Sequence, residues 1–169
     1  VAASLRRITY SLSGDGKGGV ATVLAPGKGF LDVTEDPAAL PAWFDADDLA
    51  YTVAEFRRTG FRGGLNWYRA LRRGPELLAP WRGAVIRQPS LFIAGDRDDV
   101  MKFPTSAPAV ARFDRTLPGL RGSHVLAGAG HWVQRERAAE VNALLIDFLR
   151  GRLGPTRVRW SFPTPLDAM

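Results

Sequence analysis

Ser90-Leu91-Phe92-Ile93-Ala94-Gly95-Asp96-Arg97-Asp98 is the stretch on which the fold turns. Pro89 opens it, an unbroken apolar run follows, Gly95 closes the run, and carboxylates crowd the carboxyl end as far as Asp99. Strands covered on both faces lose the polar alternation of a half-exposed strand, so a short continuous run bounded by Pro and Gly reads as a buried parallel strand. Downstream, Ala107 to Phe113 reads as a helix, Pro118-Gly119 breaks it, and Ser123-His124-Val125-Leu126-Ala127 is the next strand candidate. Val141, Leu144, Leu145, Phe148 and Leu149 then recur at i, i+3, i+4, i+7 and i+8, with Gly151 placed to end the helix. Strand, helix, strand, helix across residues 90 to 150 is a parallel α/β unit.

Upstream the pattern is helical and then irregular. Residues 1 to 12 read as the end of a helix, and 13 to 45 as irregular chain rich in Gly. Gly14 to Gly19 formally satisfies G-x-G-x-x-G. No strand precedes it, no helical pattern follows, and Asp15 would repel a phosphate, so it reads as a flexible loop. Asp47 or Asp48 is placed to cap a helix carrying Leu49, Val53 and Phe56 on one face and ending at Gly60, and a further helix is expected over 64 to 73. Residues 153 to 169 hold three Pro and no periodicity, the composition of a loose tail.

At 169 residues, 46% hydrophobic and 10% aromatic, the chain is one domain's worth of polypeptide with material for a core. The absence of Cys excludes disulfides, thiolate metal sites and Cys nucleophiles, and two His leave little room for a metal, so no cofactor is expected. No apolar stretch approaches the roughly 18 to 20 residues of a membrane span, and the N-terminus lacks the apolar core of a signal peptide, which makes a cytoplasmic location the default. The net charge of +6 comes from Arg, since all but three of the 23 cationic residues are Arg. They are scattered in pairs such as Arg6-Arg7, Arg57-Arg58 and Arg72-Arg73, as on solvated helix faces, and form no stripe that would suit a nucleic acid.

Two residues stand where open α/β sheets place their chemistry, just beyond strand carboxyl ends: Asp98 and, within Gly128-Ala129-Gly130-His131-Trp132, His131. An imidazole works as a base near neutral pH when an acceptor fixes one ring nitrogen and the other faces the reacting proton. Asp98 is also an ordinary capping or turn residue in an Asp-rich loop, where Asp96 and Asp99 compete with it, and His131 is also an ordinary buried histidine. Gly128 and Gly130 leave room for close backbone approach around it. His124, within a strand pattern, reads as filler. The 169 residues contain no Gly-x-Ser-x-Gly and no comparable elbow carrying a nucleophile.

Taken together, Phe61-Arg62-Gly63-Gly64-Leu65-Asn66-Trp67-Tyr68-Arg69, Leu91 to Asp98, Gly128 to Gln134 and Glu140-Val141-Asn142 resemble the carboxyl-terminal part of the epoxide hydrolases of the α/β-hydrolase fold. The resemblance runs through about residues 40 to 150, and residues 1 to 40 look like the middle of that family's helical cap. It implies a truncated α/β-hydrolase fold: a partial helical cap over 1-80, the last parallel strands and helices of the core over 81-152, and an irregular tail over 153-169. It also implies a chemistry. In that family an Asp attacks an epoxide carbon, two Tyr hydroxyls of the cap hydrogen-bond the epoxide oxygen, and water activated by a His reopens the resulting ester to a vicinal diol. By motif, His131 is the base, Asp98 its orienting acid and Tyr68 one Tyr donor. A phenol of pKa about 10 suits an oxygen becoming an alkoxide. The family's nucleophilic Asp, its His-Gly-x-Pro loop and its other Tyr have no match here, and Gly74-Pro75 and Ala138 stand where the family tends to have Asn-Trp and Pro. The expectation is a member that begins inside the cap, takes a small-molecule epoxide, turns over poorly alone, and self-associates or pairs with the missing amino-terminal segment. The rival readings are a non-catalytic remnant that binds a partner, and part of a dehalogenase or esterase of the same fold.

Overall fold

The computed structural model describes residues 1–17 and 26–156. The end of the Gly-rich stretch at 18–25 and the tail from 157 lie outside the described residues. The apolar run becomes strand β1 (Ser90–Gly95), and β2 (Leu120–Leu126) lies beside it. The pair is parallel, in the register Leu91 to Gly122 through Gly95 to Leu126, with an irregularity between Ser90 and Leu91. β2 begins three residues before the expected start at Ser123, because Gly119 and Leu120 still bond across the pair and to the preceding turn: Ser90 N–H donates to Gly119 O at 3.1 Å and Leu120 N–H to Leu117 O at 3.0 Å.

Among the described residues, helices make up the regular structure before β1. Helix α1 spans Ala2–Ser11, α2 is a single turn at Phe30–Val33 inside the stretch expected to be irregular, and α3 spans Ala46–Thr59. The N-cap of α3 is Asp45 rather than Asp47 or Asp48. Its carboxylate accepts the Asp48 N–H at 2.9 Å, which leaves the other two as first-turn acids favoured by the helix dipole. Gly60, at φ +69°, ends the helix in a backbone conformation that a β-carbon disfavours. Val53 is buried against α1, and Phe56 meets the ring of Phe61 at 4.8 Å. Helix α4 (Arg62–Ala70) runs through a 3-10 turn at Leu71–Arg73 into α5 (Gly74–Leu77) and a second 3-10 turn at Ala79–Trp81.

Between the strands, the expected helix over 107 to 113 is two short pieces, α6 (Ser106–Val110) and α7 (Phe113–Thr116). Pro108 sits in the first turn of α6, where its missing N–H costs no helical bond, and beyond the break Phe113 lies against β1, edge to face with Phe92 at 5.2 Å. After β2, α8 (Val133–Glu136) and α9 (Ala138–Leu149) pack on β1. The apolar stripe of α9 is only partly covered. Val141 is buried, whereas Leu149 is 80% exposed, because two strands offer less surface than the stripe can occupy.

The α4 to Trp81 segment exposes several large apolar side chains. Trp67, Leu71 and Trp81 stand mostly in solvent, and the segment packs chiefly along itself. Large apolar side chains exposed along one segment suit contact with another polypeptide.

Two glycines separate packing from propensity. A β-carbon at Gly130 would lie 2.4 Å from Ser13 C and 2.5 Å from both Gly14 N and Leu12 O, all backbone, whereas one at Gly64 in α4 would meet nothing within 4 Å. Urea denaturation should therefore find Gly130→Ala destabilised by about 1–3 kcal/mol, an overpacking cost, and Gly64→Ala stabilised by up to about 1 kcal/mol, the helix-propensity gain. A stable Gly130→Ala protein would mean that the turn at Leu12 to Gly14 does not sit against the loop before His131. Asp45→Ala should cost about 1 kcal/mol in the same assay.

Candidate active site

Parallel neighbours about 4.8 Å apart bring whatever follows their carboxyl ends into one small volume. Past β1, Asp96 N–H donates to Leu126 O at 3.2 Å and Arg97 N–H to Ala129 O at 2.9 Å, so the two post-strand loops are stitched together. Asp98 then serves as the N-cap of a 3-10 turn at Asp99–Lys102, accepting the Val100 N–H at 2.9 Å. This local bond holds its carboxylate toward the loop after β2.

There it meets His131. The Nδ1 of the imidazole lies 3.2 Å from one Asp98 oxygen and 3.3 Å from the other. The competing Asp96 is occupied elsewhere, accepting the Gly128 N–H at 2.7 Å, and Asp99 pairs with Lys102 at 2.7 Å. Burial pushes the Asp98 carboxyl up, but the hydrogen bonds from His131 and the Val100 N–H, with the charges of His131 and Lys102, outweigh it and hold the group below its ordinary value. An ionised carboxylate only accepts, so Nδ1 carries the hydrogen and the neutral ring keeps its Nε2 lone pair on the side away from Asp98. The hydrogen bond to Asp98 raises the His131 pKa above 6.5; burial opposes this, and the charges of Asp98, Glu136 and Asp99 add to it. The Asp98 side chain is 13% exposed and that of His131 is 37% exposed, which leaves the ring open to a small molecule on one side.

The loop that presents His131 is pinned on its other side by α1. His131 N–H donates to Leu12 O at 2.9 Å, and Trp132 Nε1–H to Thr9 O at 2.8 Å, while the Trp132 ring stands edge to face with the imidazole at 5.0 Å. Arg97 donates to Gly14 O at 2.7 Å, tying the same turn to the loop after β1. Glu136 and Arg97 went unread in the sequence. The signal for Glu136 was present, since a Gly-Ala-Gly-His-Trp loop holds several N–H groups that need an acceptor and Glu136 is the next acid along the chain.

Tyr68 is placed differently. It lies on α4, 73% exposed, in a shallow depression lined by its own helix and the following turn through Leu65, Arg69 and Arg72. The structure brings Asp98 and His131 together and gives Tyr68 no contact with them. His124 lies across Gly122 within β2, its Nε2 buried without a hydrogen-bond partner, and contributes nothing to the pair. Among the described residues no cluster of acids and histidines could hold a metal ion, and no helix is long and apolar enough to cross a membrane.

A parallel strand pair that presents an aspartate and a histidine in contact beyond its carboxyl ends is the arrangement of an α/β-hydrolase core. No protein-family model matches the chain. Epoxide hydrolase A of Mycobacterium tuberculosis is 43% identical over 155 residues, covering 89% of this chain and 46% of the relative. An epoxide hydrolase of Caballeronia sordidicola is 49% identical over 115 residues, covering 68% of this chain and 34% of the relative. The crystal structure of epoxide hydrolase A from Mycobacterium thermoresistibile matches with a TM-score of 0.76 at 44% identity, over 92% of this chain and 47% of that one. The solved structure of an epoxide hydrolase from an endophytic Streptomyces matches with a TM-score of 0.80 at 39% identity, over 90% of this chain and 46% of that one. The chain belongs to the epoxide hydrolases of the α/β-hydrolase fold and corresponds to the carboxyl-terminal part of its relatives, spanning less than half of their length.

The pair sets a pH dependence with a definite sign. Because the folded His131 pKa is raised, its contribution to stability is complete below 6.5 and is lost as pH rises through the folded value. Because the folded Asp98 pKa is lowered, its contribution is present above 3.8 and is lost as pH falls through the folded value. Asp98→Asn should therefore be most destabilising between those limits and less so at alkaline pH, where the His131 contribution is lost while that of Asp98 remains. In an NMR titration the same variant should return the His131 pKa toward its ordinary value, and an unchanged titration would dissolve the pair.

Proposed function

We propose that this chain carries the water-activating half of an epoxide-hydrolysing site, with His131 as general base, Asp98 as the acid that orients it and Tyr68 as a hydrogen-bond donor to the epoxide oxygen. The single observation supporting it is the Nδ1 contact to an ionised Asp98, which leaves Nε2 as the acceptor for a proton from water. In the reaction a carboxylate opens the epoxide at carbon, the ring C–O bond breaks, and the departing oxygen takes a proton from a Tyr hydroxyl. Water that has lost its proton to His131 then attacks the ester carbonyl, releasing the diol and restoring the carboxylate, and the proton held by His131 replaces the one given up by the Tyr.

The attacking carboxylate is read as coming from polypeptide outside these 169 residues, because no elbow of that kind occurs within them. Residues 1-80 are read as a portion of the helical cap and 81-152 as the end of the core. Tyr68 reaches the epoxide only when its segment is docked, and its present exposure fits a donor whose covering surface lies on another segment. The exposed Trp67, Leu71 and Trp81 favour pairing with such a segment over life as a monomer.

Purified chain alone should convert no epoxide to diol above background. Co-expressed with the amino-terminal half of an epoxide hydrolase relative, it should gain turnover. In that assembly His131→Ala should lose about 10²–10⁴-fold and Tyr68→Phe up to about 10²–10³-fold. Hydrolysis that survives His131→Ala would refute the role given to the histidine, as would faster cleavage of esters or haloalkanes than of epoxides refute the substrate class.

A further inference from the structure

We propose that Glu136 is a positioning residue for His131: one carboxylate that accepts backbone N–H groups on both sides of the histidine and from the turn that follows α1, fixing the imidazole against Asp98. Oε2 accepts Gly130 N–H at 2.9 Å and Gly14 N–H at 2.8 Å, and Oε1 accepts Trp132 N–H at 3.0 Å. The residues immediately before and after His131 are thus bonded to the same side chain, and their common anchor also grips a residue 122 positions away. Hydrogen bonds from neutral N–H groups to a carboxylate are stronger than neutral pairs, and three of them converging on one group leave it little freedom.

The packing explains why a side chain is needed here. The loop and the turn meet backbone to backbone: a β-carbon at Gly14 would lie 2.0 Å from Gly128 O, and one at Gly130 would strike Ser13 and Gly14. Surfaces this close have no room for side chains between them, so their inward N–H groups must be satisfied from the flank, and Glu136 at the end of α8 reaches in from there. Its negative charge is also one of those that face the imidazole. The others are Asp98 and Asp99 from the loop after β1, with Lys102 paired to Asp99, while the guanidinium of Arg97 is turned to Gly14 O.

The role deepens the reading of His131 as a base, but its test needs no turnover. The chain has two histidines, so His131→Ala assigns the imidazole resonances of the wild type, and each variant is titrated by NMR beside amide exchange at Gly130 and Trp132. Glu136→Gln keeps the size and loses the charge. It should lower the His131 pKa, since one of the charges that raise it is removed, and speed exchange at both amides about tenfold. Glu136→Asp keeps the charge on a shorter arm, and should retain the raised His131 pKa while exchange still quickens.

Gln titration and exchange indistinguishable from wild type would overturn the proposal. A Gln variant that loses global stability while its His131 titrates as before would overturn it as well, leaving Glu136 a purely structural residue. Should the Gln variant not fold, the Asp variant decides: faster exchange at Gly130 and Trp132 with a retained pKa supports the role, and unchanged exchange rejects it. In an assembly that hydrolyses epoxide, Glu136→Gln should lower kcat and leave KM nearly unchanged. An assembly without turnover would count against the base assignment alone, since the titration stands apart from it.

Discussion

Everything in the site depends on the parallel pairing of β1 and β2. Parallel strands cannot be joined by a tight turn, so a crossover must intervene, and both strands then end at the same edge of the sheet. That edge receives Asp98 three residues after Gly95 and His131 five residues after Leu126. A one-residue slip in register would turn the inward faces of the strand outward, and the stitching bonds from Asp96 and Arg97 would lose their partners. The contact between carboxylate and imidazole is a small interaction resting on a larger one.

Much of this was legible from residue order. The run at 90 to 95 identified its strand because burial on two faces erases alternation, and Val141 with its i+3 and i+4 successors identified the last helix because a stripe at helical spacing has one economical use. The pairing of Asp98 with His131 followed from where such sheets collect polar groups. Residue order alone left Asp96, Asp98 and Asp99 competing and the family resemblance chose Asp98; the hydrogen bonds show how the three are distributed, Asp96 to Gly128, Asp99 to Lys102 and Asp98 to the imidazole. The N-cap at Asp45 was missed for the same reason, with acids at 45, 47 and 48 competing for one frayed end. Glu136 was hidden by a different physics. Its partners are backbone groups, which carry no sequence identity, and one of them lies near the opposite end of the chain.

The molecule also shows an uneven distribution of order. Around the site nearly every polar group is assigned: Leu12 O, Thr9 O, Gly14 O and the Glu136 carboxylate all accept from neighbours separated widely in sequence. From α4 to Trp81 the opposite holds, and large side chains stand in solvent with contacts mainly to their own segment. Sequence similarity to epoxide hydrolases spans both regions, so the contrast is one of packing and not of kinship. In physical terms the His131 end holds its shape by internal bonds, whereas the Tyr68 end has its apolar surface still to cover.

The bonds that tie α1 and the turn after it to the His131 loop and α8 join groups 122 and 123 residues apart. During synthesis the first of these partners leaves the ribosome long before the second exists. At 5–20 residues per second the interval is about ten seconds, through which a ten-residue helix is too short to persist on its own. The histidine loop therefore closes late, and α1 must stay soluble and uncommitted until α8 has emerged. Through that interval α1 is exposed to chaperones and proteases, and the speed of elongation bears on how much of the site forms.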